Sequence, residues 1–483
     1  MVLLATQPPT IRVVTDTSAP LRDHHVRDHA GGVAGPVLVV LGMGVATWSV
    51  VRYELRIVAA YTVLALVLAA ALALGRSAAR PTRAGWAAVL VLAGYLTATV
   101  PTFTHIDPAS DSPAPRILGL TAVVVAVLLL VRQRWAGDAA LGVAVLGYLI
   151  ASTALIRLDP APRIDVWVIL QQGADAMAAG RNIYEQVWVD SPGVKDAFTY
   201  LPWTAVLLAP GRWLAGDVRW ALVVVAVLTA VVVRRMATAP GGNPRAAVAV
   251  GALLLVLPGT PTQVEQAWTE PLLLGCIAVA TLAMVRGRLL VAVLAIGVGI
   301  ACKQHLVLLL PLLAAWPRFG VRRAAASGGV AGALVLPWVL AGPAAFWHDT
   351  VTLLVNFHAI RFADTLYLAA LTELGWTPPF WLTAAIVLGT LAAVTVTVRR
   401  RDPDPGELLR WFALTLFVAS LVNKQAFYNQ YWLVAALVLL SWAVPDPAPA
   451  DGDPAAEGHP AAGSRPAVQA AAEPDGADAT VRR

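Results

Sequence analysis

Apolar runs long enough to cross a lipid bilayer dominate this sequence. A membrane-spanning helix needs about 20 mostly apolar residues, and roughly fourteen runs of comparable length can be placed. Of the 483 residues, 58% are hydrophobic and only 13% are charged, whereas a soluble domain carries about 25% charged residues. The sequence therefore predicts an all-α fold, a polytopic transmembrane helical bundle of about 14 spans. The runs cover approximately residues 33–51, 57–75, 86–103, 117–131, 139–156, 219–233, 245–258, 271–285, 289–302, 306–317, 325–341, 379–398, 411–423 and 431–445.

The two ends of the chain differ from these runs in composition. Residues 1–32 carry charged side chains without an apolar core, which predicts a cytoplasmic N-terminal segment and not a signal peptide. Residues 446–483 form a low-complexity stretch rich in Ala, Pro, Gly and Asp. Such a composition cannot bury a core, so we predict a disordered cytoplasmic tail. Cys276 and Cys302 fall inside predicted spans, where they act as small apolar residues and predict no disulfide.

The basic residues are clustered in particular loops and are not spread along one face. With fourteen spans, every cluster falls on the same side as the N-terminus, as the positive-inside rule requires of the cytoplasm. The net charge of +6 is therefore a feature of membrane topology, and we predict no nucleic-acid partner. The pattern predicts a plasma-membrane protein with both termini in the cytoplasm. The clusters are residues 76–83, 132–134, 234–235, 286–288, 318–323 and 399–401.

The remaining loops are then predicted to face outwards. One apolar stretch, residues 200–216, could be a further span, but counting it would place later basic clusters outside. We therefore predict a helix that lies on or dips into the outer leaflet; the alternative is a true span, balanced by the fusion of two short spans downstream. The outer loops are 104–116, 157–218, 259–270, the turn near Lys303, 342–378 and 424–430.

Ionisable side chains are absent from the middle of all the apolar runs. An ion-coupled transporter usually keeps such groups at bilayer depth, where they are costly and are retained for transport. The polar residues lie instead at the outer ends of spans and in outer loops, which predicts a site at the outer surface. The outer loops hold no Asp-x-Asp and no cysteine pair, and the chain has no P-loop or Gly-x-Gly-x-x-Gly motif. We predict no cofactor, while a divalent metal stays open.

The stretch RIDVWVILQQGADAMAAGRNIYEQ, residues 163–186, contrasts with the apolar runs around it. At 100° per residue its polar side chains share an arc of about 120°, opposite an apolar face. The pattern predicts a short amphipathic helix on the outer surface that ends at Gly180. Asp165 stands at the helix start, either as an N-terminal charge or as a carboxylate directed into a membrane-level cavity. The polar residues of the arc are Asp165, Gln171, Gln172 and Asp175.

Three groups of spaced motifs resemble glycosyltransferase family 87. The first is an outer loop with Asp165 near its start, followed by GRNIY (180–184) and TYLPWTAVLLAP (199–210). The second is 267–313, where an outer polar loop is followed by a span, a Gly-Arg turn, a Gly-rich span and a lysine. The third is 356–371. Family 87 belongs to the GT-C superfamily of polytopic enzymes that use polyprenyl-phosphate sugars. The resemblance implies a GT-C-like transmembrane catalytic core with short interfacial helices in its outer loops over residues 139–445, preceded by a transmembrane extension over residues 33–138.

The resemblance also implies a reaction. It is the inverting transfer of a sugar, mannose or arabinose, from a polyprenyl-phosphate donor to an envelope glycan or glycolipid acceptor at the outer face. This chemistry needs a carboxylate that takes the proton of the attacking hydroxyl. The family's first-loop aspartate maps to Asp165, the predicted general base, with Asp175 as the second choice. Asp159 is typical of a structural Asp-Pro turn.

Contacts to the leaving phosphate and to the sugar are predicted at the outer ends of spans. Lys303 is either a phosphate contact or a lysine that snorkels from the end of a span, whereas His305 is more typical of a structural histidine. Arg361 and Asp364 are either substrate contacts or a surface pair. The candidate substrate-binding residues are Tyr184, Tyr200, Lys303, Gln304, His305, Arg361, Asp364, Lys424 and Tyr428.

Two further pairs of residues also allow a functional or a structural interpretation. Lys424 and Tyr428 either line a sugar or prenyl site or belong to the aromatic belt at the membrane interface. His348 and Asp349 resemble a base with its orienting acid. Neighbours on an α-helix point apart, so we predict no functional pair there.

Two other classes of protein compete with the glycosyltransferase hypothesis. A transporter or flippase for a lipid-linked sugar would share the lipid partner, but should show internal repeats and polar groups within spans. A membrane scaffold would leave the Asp165 loop and Lys303 unexplained. The enzyme hypothesis requires that Asp165 and either Lys303 or Arg361 face one outer cavity.

Overall fold

The computed structural model describes residues 28–75, 79–106 and 112–446. These residues contain α-helices, short 3-10 turns at Ile183–Glu185 and Gln304–Leu308, a π-helical turn at His348–Thr352, and no β-strand. The predicted all-α fold is therefore confirmed. Most of the predicted N-terminal segment and nearly all of the predicted tail lie outside the described residues. The helices are α1 (Asp28–Trp48), α2 (Leu55–Ala73), α3 (Arg83–Thr99), α4 (Ala114–Leu130), α5 (Ala136–Leu158), α6 (Asp165–Ala178), α7 (Pro202–Ala215), α8 (Arg219–Met236), α9 (Pro244–Val256), α10 (Thr260–Glu265), α11 (Glu270–Val285), α12 (Leu289–Cys302), α13 (Leu309–Ala315), α14 (Val321–Ala341), α15 (Pro343–Trp347), α16 (Leu353–Asn356), α17 (Leu366–Leu374), α18 (Phe380–Arg401), α19 (Pro405–Leu421) and α20 (Tyr428–Ala443).

Each of the predicted apolar runs coincides with one of these helices. Among the described residues, four helices are long and apolar enough to cross a membrane, namely α2, α5, α14 and α18. A fifth span results if α7 and α8 count as one broken span. Several other helices are apolar but shorter, so the number of fourteen crossings stays a prediction.

The chain bends sharply within the predicted outer loop. Helices α7 and α8 meet at 113°, and Gly216, at φ +83°, ends α7 in the left-handed conformation. At this corner Arg219 Nη2 lies 2.7 Å from Asp217 Oδ2, and the arginine side chain is fully buried. The apolar stretch 200–216 therefore does not continue straight into the next span.

The connection between α9 and α11 was predicted to be an outer loop, and the structure contradicts an exposed position. Every residue from Gly251 to Leu274 is buried. The polar side chains find partners inside the bundle: Glu265 Oε1 accepts hydrogen bonds from Thr104 Oγ1 at 2.6 Å and from the backbone N–H of His105 at 2.8 Å. Buried polar groups are tolerated when they are hydrogen-bonded in this way.

Gly259 makes the turn that carries the chain into this buried segment. Its φ is +86°, and a Cβ placed there would lie 1.6 Å from the hydroxyl oxygen of Tyr428. We expect Gly259→Ala to lower the free energy of unfolding by about 2–3 kcal/mol, because a left-handed alanine is strained and Tyr428 must move. Thermal unfolding in detergent measures the change.

Gly287→Ala is the matched control for this substitution. Gly287 has a similar φ of +68°, but nothing lies within 4 Å of its Cβ position. The control carries the conformational strain alone and should cost about 1 kcal/mol. Equal losses for the two variants would contradict a packing role for Gly259 against Tyr428.

The predicted N-terminal extension packs directly against the predicted core. Thr97 Oγ1 of α3 donates to the Val256 carbonyl at 2.9 Å, and Thr47 Oγ1 lies 2.9 Å from the Tyr428 hydroxyl. The backbone N–H of Glu54 donates to Asp364 Oδ1 at 2.9 Å. All described residues belong to one compact unit that ends at Asp446.

Candidate active site

Asp165 is the first residue of α6, as the amphipathic pattern predicts. One carboxylate oxygen accepts from the backbone N–H of Val166 at 2.8 Å, and the other lies 3.4 Å from the N–H of Val194. A carboxylate at this position interacts favourably with the positive end of the helix dipole. The helix ends just before Gly180, whose φ is +67°, so both predicted ends of α6 are confirmed.

The polar face of α6 is only partly solvated, and its position on the outer surface stays a prediction. Gln171 is buried. Its amide donates to the Gly216 carbonyl at 2.8 Å and accepts from the Val218 N–H at 3.0 Å. The helix is therefore fastened to the corner between α7 and α8, which fixes the position of Asp165.

The backbone of segment 198–201 is held by hydrogen bonds from several other elements. The N–H of Phe198 donates to Asp349 Oδ2 at 2.7 Å, and the Tyr200 carbonyl accepts from the Tyr184 hydroxyl at 2.9 Å. Gln304 donates to the Thr199 carbonyl and to the Thr350 carbonyl, both at 3.3 Å. Tyr184 and Gln304, both predicted substrate contacts, thus position the Tyr200 segment.

Tyr200 lies next to the predicted phosphate contact, and its phenol is also within electrostatic range of the predicted base. The Lys303 ammonium lies 5.3 Å from the centre of the Tyr200 ring, within the range of a cation–π interaction. Burial raises the pKa of the Tyr200 phenol well above its ordinary value, and the nearby carboxylates of Glu270 and Asp165 raise it further. The phenol therefore stays neutral at physiological pH.

Lys303 makes an ion pair with a carboxylate that the sequence analysis did not single out. Its Nζ lies 2.5 Å from Glu270 Oε1 and 3.4 Å from Thr269 Oγ1. The Glu270 side chain is fully buried and that of Lys303 is 13% exposed, so the lysine does not snorkel out of the bundle. The second Glu270 oxygen accepts from Asn429 Nδ2 at 2.7 Å.

This arrangement leaves one donor of the lysine for a ligand. An ammonium group has three N–H bonds, and Glu270 and Thr269 account for two of them. We call Asp165, Tyr200, Glu270, Lys303 and Asn429 the Tyr200 cluster. Glu270 belongs to WTEP (268–271), at the start of the family-like segment 267–313. Its position at the start of a span and next to a proline was the signal in the sequence that could have identified it.

Four predicted substrate-binding residues lie elsewhere or have structural partners. Arg361 is exposed, and Asp364 is buried. No ion pair joins them among the described residues, so the predicted surface pair does not form. Lys424 Nζ donates to the Val355 carbonyl at 2.7 Å, and the hydroxyl of Tyr428 donates to the Pro258 carbonyl at 2.9 Å.

Asp364 has an unusual environment for a loop carboxylate. Burial raises its pKa to about 6, against the lowering effect of its hydrogen bonds from Ser49 and from the backbone of Glu54. Its backbone carbonyl accepts from the Tyr431 hydroxyl at 2.7 Å. The residue joins the predicted extension to the outer loop and lies apart from the Tyr200 cluster in the hydrogen-bond network.

His305 lies two residues after Lys303, within the 3-10 turn Gln304–Leu308, and is half-buried. No hydrogen bond of its ring is seen among the described residues. A structural histidine, as the sequence analysis favoured, and a substrate contact both stay predictions.

The second-choice base, Asp175, is already paired. Its two carboxylate oxygens accept from Arg212 Nε at 2.8 Å and from Nη2 at 3.0 Å, which is the bidentate geometry of a strong arginine–carboxylate pair. Asp159 ends α5, and its carbonyl accepts from Arg219 Nη2 at 2.7 Å, as expected of a structural turn residue.

The structure contradicts the expectation that His348 and Asp349 point apart. His348 Nδ1 lies 3.0 Å from Asp349 Oδ1. The segment His348–Thr352 is a π-helical turn, so the angular spacing of an α-helix does not apply to it. Burial raises the pKa of Asp349, opposed by hydrogen bonds from the Phe198 backbone and from His348.

Gly193 packs directly on the Asp165 carboxylate. A Cβ at Gly193 would lie 2.4 Å from Asp165 Oδ2, so Gly193→Ala must displace the carboxylate. We expect turnover to fall about tenfold to hundredfold, since displacing a reacting group by about 1 Å has effects of this size. Sugar-transfer assays on membranes, normalised to the amount of protein, measure it.

Gly173→Ala serves as the control for Gly193→Ala. A Cβ at Gly173 would meet the Phe198 ring at an ordinary 3.5 Å, and the residue lies inside α6. The control should keep most of the activity. Full activity of Gly193→Ala would show that the carboxylate position is irrelevant to turnover.

A comparison with protein families identifies the region around this cluster. Residues 198–423 match the family model of glycosyltransferase family 87. The predicted resemblance is thereby confirmed over that segment, and the family implies a glycosyltransferase. The apolar helices suggest a membrane protein. No curated protein and no solved structure matches the chain.

The matched segment contains three of the five residues of the Tyr200 cluster. Tyr200, Glu270 and Lys303 lie within it, whereas Asp165 precedes it and Asn429 follows it. The assignment of the family's first-loop aspartate to Asp165 therefore stays a prediction. Within the described residues, no group of three or more His, Cys, Asp or Glu side chains could hold a metal ion.

Proposed function

We propose that the protein transfers a sugar, mannose or arabinose, from a polyprenyl-phosphate donor to an envelope glycan or glycolipid at the outer face of the membrane. The family 87 match supports a glycosyltransferase, and the apolar helices support a membrane location. The single observation that carries the proposal is that the Lys303 ammonium lies 5.3 Å from the centre of the Tyr200 ring, while the Asp165 carboxylate is near enough for its charge to act on the Tyr200 phenol.

The Tyr200 cluster offers the groups that such a transfer needs. In an inverting transfer the acceptor hydroxyl attacks the anomeric carbon, the bond to the donor phosphate breaks, and the hydroxyl proton must go to a base. Asp165 is the proposed base. Lys303, with one N–H free of protein partners, is the proposed contact to the phosphate oxygen on which negative charge develops.

Glu270 and Tyr200 suit this division of roles. Glu270 neutralises Lys303 before substrate binds, so the buried lysine is not an isolated charge. Tyr200 stays protonated and donates or stacks without competing for the proton that Asp165 must take. Arg361 is exposed, and we propose no role for it in this cluster.

The donor class is tested with membranes that contain the protein and with membranes that lack it. Each is given radiolabelled polyprenyl-phosphate mannose, polyprenyl-phosphate arabinose or the matching nucleotide sugars, together with envelope glycan acceptors. We expect label in the glycan only with a polyprenyl-phosphate donor and only with the protein present. Transfer from a nucleotide sugar in washed, lipid-extracted preparations would contradict the proposal.

A flippase for a lipid-linked sugar is the second function, and the same membranes distinguish it. A flippase moves labelled donor across sealed vesicles without forming a new glycosidic bond. Protein-dependent movement of the donor with no labelled glycan, for every donor and acceptor supplied, would replace the transferase proposal by this one.

A further inference from the structure

An apolar groove runs along the N-terminal and C-terminal helices, and none of its lining residues belongs to the Tyr200 cluster. It has a volume of about 510 Å³ and is lined by α1, α2, α19 and α20, within the roughly 300–1,000 Å³ of typical ligand sites. On α2 the lining extends from Tyr61 to Leu72, and on α20 from Tyr431 to Trp442. Each stretch corresponds to about 16 Å of helix. That is about half of the hydrocarbon thickness of a bilayer, the depth of one leaflet.

A polar mouth adjoins one end of this groove. It has a volume of about 160 Å³ and shares Leu72, Arg410 and Trp442 with the groove. The groove residues near the mouth lie at the same end as Arg401, whose guanidinium donates to the carbonyls of Leu72 and Ala73 at 2.6 and 2.7 Å. The positive-inside pattern predicts that this end is cytoplasmic, opposite to the predicted outer site.

Arg410 lines both the groove and the mouth, and its guanidinium donates no hydrogen bond to any of the described residues. Its Nε is buried without a hydrogen bond, and no ion pair of Arg410 occurs among the described residues. Glu407 lies one turn earlier on α19, yet its Oε1 accepts from Trp411 Nε1 at 3.1 Å. A buried polar atom without a partner is costly, which points to a ligand acceptor at Arg410.

The carboxylates in the mouth complement a cation next to that acceptor. Asp404 Oδ1 accepts from the Glu407 N–H at 2.9 Å, and no protein donor is seen for Asp404 Oδ2 or Glu407 Oε2 in the described part of the chain. The third carboxylate, Asp446, pairs with Arg80. The mouth therefore offers a guanidinium with an unused N–H donor for an anion, beside two carboxylates that are within electrostatic range of Arg410 and that each keep one oxygen without a donor among the described residues.

From this geometry we propose that the groove and its mouth bind phosphatidylethanolamine from the cytoplasmic leaflet. One acyl chain fills the groove, the phosphate accepts hydrogen bonds from Arg410, and the ammonium donates to Asp404 and Glu407. A groove one leaflet deep fits an acyl chain, whereas a long polyprenyl chain would extend past it. The site is separate from the proposed transfer chemistry.

Native mass spectrometry of the full-length, delipidated protein in detergent tests this proposal. The probes are synthetic phosphatidylethanolamine, phosphatidylglycerol and phosphatidylcholine with identical acyl chains, and a polyprenyl phosphate. We expect phosphatidylethanolamine to bind about tenfold more tightly than the other two phospholipids, because only it has both a phosphate and an N–H-bearing ammonium.

Three variants assign the binding to this site. Arg410→Gln should weaken phosphatidylethanolamine about tenfold. Glu407→Gln should remove the preference over phosphatidylcholine. Val67→Trp should block the groove, since Val67 lines it and is 47% exposed. The matched controls are Arg400→Gln, an exposed arginine at the same predicted face, and Val63→Trp, one turn along α2 and outside the groove. Thermal unfolding confirms that each variant is folded.

Each result of the lipid-binding experiment either supports or contradicts the proposed site. The site is supported by weaker phosphatidylethanolamine binding in Arg410→Gln, a lost preference over phosphatidylcholine in Glu407→Gln and lost binding in Val67→Trp, with wild-type binding in the two controls. Equal retention of the three phospholipids, no retained phospholipid, tighter retention of polyprenyl phosphate that Val67→Trp abolishes, or unaltered binding in folded Arg410→Gln would each overturn it. Because sugar transfer is not the readout, failure here leaves the proposed function unaffected.

Discussion

Asp165→Asn should reduce sugar transfer by about 10²- to 10⁴-fold while the protein keeps its fold, because general-base assistance contributes rate factors of this size. Asparagine has nearly the shape of aspartate, and its single carbonyl oxygen can still accept from the backbone N–H of Val166, while the longer contact to the N–H of Val194 is lost. It cannot take a proton from the acceptor hydroxyl. The loss should therefore appear in kcat, with little change in the acceptor KM.

Asp175→Asn is the matched control for this variant. Asp175 lies on the same helix and pairs with Arg212 in a partly exposed position. Its loss removes a surface ion pair worth about 0–1 kcal/mol and should leave turnover within about threefold. If Asp175→Asn abolished transfer and Asp165→Asn did not, the base would have to be reassigned within α6.

The pH profile gives a second, independent readout. Transfer by the wild-type protein should fall on acidification as the base becomes protonated, whereas residual transfer by Asp165→Asn should lose that acidic limb. A residual activity with the same acidic limb as the wild type would show that another carboxylate governs the proton transfer, and would remove Asp165 from this role.

The helices could be predicted from the sequence because their physical cause is local. A run such as residues 139–156 has no charged side chain to expose to lipid, and a helix satisfies its backbone internally. Helix α5 accordingly spans Ala136–Leu158. The start of α6 at Asp165 was predictable for the same reason, since the change from apolar run to amphipathic period is contained within a few turns.

The buried connection between α9 and α11 could not be predicted in this way. A polar stretch between two apolar runs is typical of an exposed loop. Its burial depends on Glu265, which accepts hydrogen bonds from Thr104 and His105, about 160 residues earlier in the chain. Such long-range partners leave no periodic signal in a single sequence.

Some features of the candidate site could be predicted from the sequence, and others could not. Lys303 was predicted because a lone lysine at the end of a span is conspicuous, but its partner Glu270 belongs to the start of another helix. The contact between His348 and Asp349 was excluded on α-helical geometry, and the π-helical turn that permits it has no recognisable sequence pattern. Pairings between elements require the fold itself.

The ion pair between Lys303 and Glu270 gives the second large expected effect. Lys303→Met leaves the fully buried Glu270 carboxylate with Asn429 as its remaining partner, and Glu270→Gln leaves a largely buried ammonium unpaired. Removing one partner of a buried pair costs about 3–5 kcal/mol. We expect each single variant to unfold at a clearly lower temperature than the wild type in the same detergent.

The double variant Lys303→Met/Glu270→Gln separates stability from function. With neither charge buried, the free energy of unfolding should return close to the wild-type value, which gives a strong coupling in a double-mutant cycle. Sugar transfer should not return, because no ammonium is left to stabilise the leaving phosphate. The exposed pair Arg212–Asp175 is the matched control cycle and should show a coupling of about 0–1 kcal/mol. Recovery of both stability and transfer in the double variant would mean that Lys303 serves only to neutralise Glu270, and the phosphate contact would then have to come from another residue.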